Sequence, residues 1–225
     1  MKFGSIKYLN LLPFRLFLKK YLKGGAAYQA LHYKSGVPSK INRDFHARRI
    51  DSAFISSIHS RGKKCSDIGI VAYQEVRSVF VIPYNVSKSD NASATSNVLA
   101  RVLGLRGEVI IGDRALKFFL QGGEAIDLAT QWYQKYQLPF VFARLCHNRL
   151  TPQTQKLVRT FEQNQPKIPQ YILKKEAAKH DITSKELQEY LECIHYAMDC
   201  KAKRSFKLFL RLARKSQTSS LRDTK

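Results

Sequence analysis

The chain has 225 residues and 25.9 kDa, 44% hydrophobic and 11% aromatic, with 11 glycines and 7 prolines; this is core material for one large domain or two small interlocked lobes, and excludes a disordered or low-complexity chain. Lys and Arg number 39 against 17 Asp and Glu, a formal charge of +22, which attracts polyanions, anionic membranes or small anionic substrates without choosing among them. The apolar runs fall far short of the roughly 18 to 20 residues of a spanning helix, the start has no secretory pattern, and the four cysteines lack metal-type spacing, so the expectations are no membrane insertion, a cytoplasmic location and four reduced thiols.

Residues 3–6 read as a short strand. Asn10 and Pro13 then signal a turn before a helix over 14–23. Val37-Pro38-Ser39 introduces a helix toward Arg49, and 50–55 reads as the next buried strand, a βαβ rhythm. Strands follow at 67–73 and 78–83. A polar loop over 87–96 passes into a helix marked by Val98, Leu99, Val102 and Leu103. Residues 108–113 read as a strand ending in Gly-Asp, 128–133 as a helix and 140–143 as a strand. Beyond that the pattern is helical: Thr151-Pro152 is an N-cap with proline behind it, and Thr183 with Glu186 is a capping box opening a run that carries Leu187, Tyr190, Leu191, Ile194, Ala197 and Met198. The tail from Ser216 reads as frayed.

Alternating strands and helices argue an α/β architecture of two lobes. Prolines suggest crossings near Pro83 and Pro166 to Pro169. Residues 1–82 and 167–225 would then form a first lobe and 83–166 a second, with strand ends and helix N-termini facing a cleft suited to anions.

Metal and cofactor signatures are absent from the pattern. The six histidines show no H-x-x-x-H spacing, Gly24-Gly25 and Gly122-Gly123 lack the rest of a nucleotide fingerprint, and no metal or cofactor is expected. Cys146-His147 is a poor nucleophile pair, because strand neighbours point to opposite faces. The basic clusters at Arg61–Lys64 and Lys201–Arg204 are short and carry no fold signature for nucleic acid, so no specific nucleic-acid partner is expected. What remains is polar residues at loop positions. Asn10 offers an amide donor and a carbonyl acceptor, and would serve equally as a turn residue. Ser93, Thr95 and Ser96 could hold a carboxylate with hydroxyls and free N–H groups, or could simply cap the helix. Asp113 fits a general base, an orienting group or a helix cap.

At these residues the chain resembles a known family. Tyr8-Leu9-Asn10 with Pro13, Arg77-Ser78-Val79, Ser93-x-Thr95-Ser96, Ile111-Gly112-Asp113-x-Ala115-Leu116, Asp127-Leu128-x-x-x-Trp132 and Leu138 to Ala143 are similar, in order and rough spacing, to the chorismate dehydratases of the futalosine route to menaquinone. The resemblance spans residues 3 to 200. It implies a two-lobed fold of the type II periplasmic-binding-protein kind and a cytoplasmic lyase, acting without metal or organic cofactor. Its reaction would convert chorismate, a small dianion, to 3-[(1-carboxyvinyl)oxy]benzoate. It carries a catalytic role onto Asn10 and substrate binding onto Ser93, Thr95 and Ser96, with Ser78 and Asp113 beside them. A non-catalytic binder of a small organic anion would share the fold. One departure stands out: only Gly104-Leu105-Arg106-Gly107 separates the Ser-x-Thr-Ser helix from the Ile-Gly-Asp strand, which implies a shortened second lobe. Nothing in the sequence specifies an oligomeric state.

Overall fold

The computed structural model describes residues 2–22 and 32–220. Two sheets organise them. The larger has six strands: β1 (Lys2–Ser5), β2 (His32–Ser35), β3 (Ser52–Ser56), β4 (Cys65–Ala72), β8 (Phe140–His147) and β9 (His195–Ala197), in the order β2-β1-β3-β8-β4-β9. The smaller is antiparallel, with β5 (Val79–Pro83) between β6 (Gly107–Ile111) and β7 (Ile126–Asp127). β1 is parallel to β2 and β3, whereas β8 runs antiparallel between β3 and β4. Every residue of β3 is buried, as expected of an apolar strand covered on both faces.

The helices cover these sheets. α1 (Leu12–Leu22) packs on α6 (Pro152–Gln163) through Phe14, whose ring lies 5.0 Å from Phe54 and 4.9 Å from Phe161, both edge-on. α2 (Pro38–His46) packs on β3, and α3 (Ala94–Leu103) and α4 (Gly112–Leu120) flank the small sheet. α5 (Leu128–Tyr136) carries the fully buried Trp132, whose indole N–H donates to Ser205 Oγ at 2.9 Å on α9 (Cys200–Ser220), so its polar edge is satisfied inside the core. α7 (Gln170–Lys179) and α8 (Ser184–Glu192) complete the chain. The capping box of α8 forms: Thr183 Oγ1 accepts the Glu186 N–H at 3.1 Å while Glu186 accepts the Thr183 N–H at 2.7 Å.

Three expectations need correction, and the lobe boundaries are placed anew: because the strand at 79–83 belongs to the small sheet and 140–147 to the large one, we propose boundaries within 73–78 and 137–139 in place of 82/83 and 166/167. The ground is long-range pairing that no local proline signals: Val79 opposite Ile111 for the first boundary, and Ala53 opposite Cys146 and Ser56 opposite Ala143 for the second. The run after Thr183 is not one helix. α8 stops at Glu192, and Ile194, Tyr196 and Met198 are buried in alternation with exposed His195 and Ala197, the period-2 signature of the edge strand β9. The tail is helical through Ser220, and residues 221–225, like Lys23, lie outside the described residues. Finally, Cys65 and Cys146 face each other across β4 and β8 as a disulfide, leaving Cys193 and Cys200 as thiols.

The short connection from α3 to β6 is possible because of its glycines. At Gly107 (φ +143°) a Cβ would sit 2.0 Å from the Ile82 carbonyl oxygen, so no other residue lets β6 meet β5 in this register.

His147, next to the disulfide, is buried between Ser52 Oγ (2.9 Å from Nδ1) and Ser66 Oγ (2.6 Å from Nε2). Burial lowers its pKa from 6.5 to about 4, so the fold favours neutral imidazole. The stability this contributes is complete above the unfolded value of 6.5 and is lost as pH falls toward 4. Urea unfolding at pH 7 and pH 4.5 should therefore show a drop about 2 to 3 kcal/mol larger in the wild type than in His147→Gln, which has no imidazole to titrate. Equal drops would remove His147 from the acid response.

Candidate active site

Between the two sheets lies a cleft of about 600 Å³, counting the space at its mouth that is open to solvent. Its apolar wall includes Phe54, Ile70, Val79 and Phe142, and its polar groups are Tyr8, Asn10, Ser56, Ser78, Ser93 and Ser96. None of the described lining residues carries a formal charge, although the chain is strongly basic. Tyr8 remains neutral: burial, with Asp90 and Asp113 nearby, pushes its phenol up to about 12.

Positive potential enters the cleft by another route. The N-termini of α2, α3 and α4 all reach it, at Pro38, at Ser93 and Ser96, and at Ile111 and Gly112. The aligned peptide dipoles favour an anionic oxygen at each helix start, although at these lining residues the N–H groups are already engaged: Ser96 gives its N–H to Ser93 Oγ, Gly112 gives its own to the Ser78 carbonyl, and Pro38 has none. Gly112 permits the closest approach. It has φ +69°, and a Cβ there would lie 2.8 Å from the Tyr8 ring, so the ring can cover the start of α4 only because the side chain is missing.

Asn10 sits in a 3-10 turn (Leu9–Leu11) whose backbone is clamped from three directions. The Leu9 N–H donates to Asp113 Oδ1 at 2.9 Å, the Leu11 N–H donates to the Tyr8 carbonyl at 3.1 Å, and the Tyr196 hydroxyl donates to the Asn10 carbonyl. Asn10 lines the cleft, and its side-chain amide has no hydrogen-bond partner among the described residues.

The other expected residues separate into two groups. Ser78, Ser93 and Ser96 line the cleft with Asn10, whereas Thr95 and Asp113 do not. Thr95 Oγ1 accepts the Ile58 N–H at 3.2 Å and so ties the start of α3 to the 3-10 turn after β3. Asp113, in the first turn of α4, holds the Asn10 turn from the opposite lobe; His180 Nδ1 lies 3.7 Å from its second oxygen, and burial pushes its carboxyl up. Of the three roles open to Asp113, the geometry is that of an orienting group.

Hydroxyl protons are distributed unequally. Ser78 donates to the Val76 carbonyl at 3.3 Å and accepts from the Tyr190 hydroxyl at 3.0 Å. Ser93 accepts the Ser96 N–H at 3.2 Å and donates to Ser96 Oγ at 2.8 Å, which leaves the Ser96 proton free to meet an acceptor in the cleft. Sequence reasoning missed Tyr8, although it neighbours Asn10, and Ser56, whose only signal is a polar residue ending an apolar strand. Among the described residues no group of three or more His, Cys, Asp or Glu is gathered to hold a metal ion.

Comparison with known proteins follows the same lines. The chain is 43% identical over 215 residues to a chorismate dehydratase of Campylobacter jejuni, covering 94% of this chain and 96% of that protein. A family model described as menaquinone biosynthesis matches residues 104–215. Among solved structures, a protein of Archaeoglobus fulgidus superposes with a TM-score of 0.69 at 10% identity, over 96% of this chain and 97% of that one. The periplasmic aliphatic sulphonate-binding protein of Escherichia coli superposes with a TM-score of 0.55 at 11% identity, over 98% and 87%. The fold is thus the two-lobed α/β architecture of periplasmic binding proteins.

Proposed function

The chain belongs to the chorismate dehydratase family, and from that premise we propose that this cleft dehydrates chorismate to 3-[(1-carboxyvinyl)oxy]benzoate, with Asn10 as its catalytic residue. The protein is a lyase of menaquinone biosynthesis. The observation that carries the residue assignment is Asn10 itself, on a clamped backbone in the lining of a cleft of hydroxyls and helix starts, its amide unpartnered among the described residues.

The chemistry asks for little more. The proton on the ether-bearing carbon is acidified through the ring diene by the ring carboxylate. Its loss with the neighbouring hydroxide makes the ring aromatic and releases water. The protein has to orient a dianion, stabilise developing charge and assist the departing hydroxide. Helix N-termini and the Ser96 hydroxyl supply anion binding without a fixed cation. An amide is no general base, so Asn10 donates to the departing hydroxyl, and the substrate's own enolpyruvyl carboxylate accepts the proton. Ser78 and Ser93, whose protons go to Val76 and Ser96, accept from the substrate's hydroxyl through their remaining lone pairs, while Thr95 and Asp113 position the elements that bear Ser96 and Asn10. We read the protein as cytoplasmic and its partner as the small dianion alone; among the described residues no helix is long and apolar enough to cross a membrane.

Purified protein incubated with chorismate, without added metal or cofactor, should consume it and yield an aromatic product, followed by absorbance after chromatography. Saturable binding without turnover would make the chain an organic-anion-binding protein of the same fold.

A further inference from the structure

We infer that the Ser56 hydroxyl is an obligate hydrogen-bond donor to a carboxylate of the substrate, its polarity set from behind by Asn42. The inference rests on the chorismate reading and assigns this same cleft a specificity-determining group. Ser56 ends β3, is 6% exposed and lines the cleft; Asn42 is 4% exposed on α2, behind the strand.

The direction of every bond in this pair follows from chemistry. The Ser56 backbone N–H can only donate, and it meets Asn42 Oδ1 at 3.1 Å, which fixes which end of the amide is oxygen. Asn42 Nδ2 therefore faces Ser56 Oγ, at 2.9 Å, and an amide NH₂ can only donate. Ser56 Oγ is thus the acceptor, and its own proton has no acceptor among the described residues. Ser78 and Ser93 differ, because their protons go to Val76 and to Ser96. A hydroxyl that accepts from an amide is polarised toward donating, and a buried hydroxyl proton left unpaired is costly. Ser56 therefore favours an anionic oxygen and disfavours a donor group at the same point of the wall. Beside the neutral Tyr8 phenol, Ser56 and Ser96 give the cleft two free serine protons, one from each sheet's side, for a substrate with two carboxylates.

The test is chorismate binding by calorimetry and turnover by product formation, in the wild type, Ser56→Ala and Asn42→Asp, with thermal melts on all three. Ser56→Ala should weaken binding ten- to hundredfold and raise KM more than it lowers kcat. Asn42→Asp removes no atom from the cleft wall, but a carboxylate there accepts both the N–H and the O–H of Ser56, turning the proton inward. It should weaken binding at least as much, and if it does not fold, Ser56→Ala decides alone. Unchanged binding in Ser56→Ala overturns the inference. Absent turnover in a wild type that binds chorismate overturns only the dehydratase reading, and the binding comparison still judges Ser56; a wild type that neither binds nor converts it overturns both.

Discussion

Replacing Asn10 by alanine should lower kcat about 10²- to 10³-fold while weakening chorismate binding less than about fivefold, read from steady-state kinetics and calorimetry on the same preparations. The split is expected because the substrate is held mainly by other groups, the starts of α2, α3 and α4 and the Ser96 hydroxyl, none of which Asn10 touches by a hydrogen bond. The turn itself should survive. Its backbone contacts run to Asp113, Tyr8 and Tyr196 through main-chain N–H and C=O groups, and alanine retains all of them. What disappears, on the role proposed for Asn10, is one donor to the oxygen that leaves, and a donor used only as charge develops appears in kcat. Parallel losses in kcat and binding would make Asn10 a binding residue and return the chemistry to another group.

The Asn10 turn was legible because its signals are local: an asparagine and a proline between a short strand and an amphipathic helix. The same holds for the capping box at Thr183 and the hydroxyl start of α3, where a few adjacent side chains satisfy adjacent backbone groups. Legibility failed where a partner lies far along the chain. The pairing of β8 with β3 underlies the second lobe boundary proposed above, and the pairing of β8 with β4 aligns Cys65 with Cys146, which sequence spacing had left as thiols. Thr95 and Asp113 belong to motifs, but their acceptor oxygens serve Ile58 and Leu9, 37 and 104 residues away. The family resemblance named these motifs without separating residues that line the cleft from residues that hold those in place. Ser56 was hidden for a related reason: its polarity comes from Asn42, which in sequence is only a polar residue beside Ile41 on a helix.

Asp127 provides the second large effect, on stability and lobe coupling together. Its Oδ1 accepts the N–H groups of Ala129 (2.8 Å) and Thr130 (3.0 Å), capping α5, and its Oδ2 accepts those of Val76 (3.0 Å) and Arg77 (2.8 Å) in the segment that crosses between sheets. Burial pushes the carboxyl up and the four N–H groups pull it down, with burial the larger influence. Arg77 has φ +52°, a conformation that a non-glycine residue holds only when its surroundings impose it, and the bond from its N–H to Asp127 is one such restraint. Asp127→Ala should therefore cost about 3 to 5 kcal/mol in urea unfolding, combining a lost helix cap with two stranded N–H groups at the crossing. Asp127→Asn should cost about half as much, because its carbonyl oxygen can still cap α5 while its NH₂ is turned toward the N–H groups of Val76 and Arg77. Since Ser78 follows directly, with its carbonyl accepting the Gly112 N–H at 2.8 Å, loosening residues 76 and 77 also loosens the start of α4 at the cleft. The asparagine variant, still folded, should accordingly show a lower kcat/KM for chorismate. An asparagine variant with full kcat/KM would confine Asp127 to capping α5, and an alanine variant of wild-type stability would remove it from both roles.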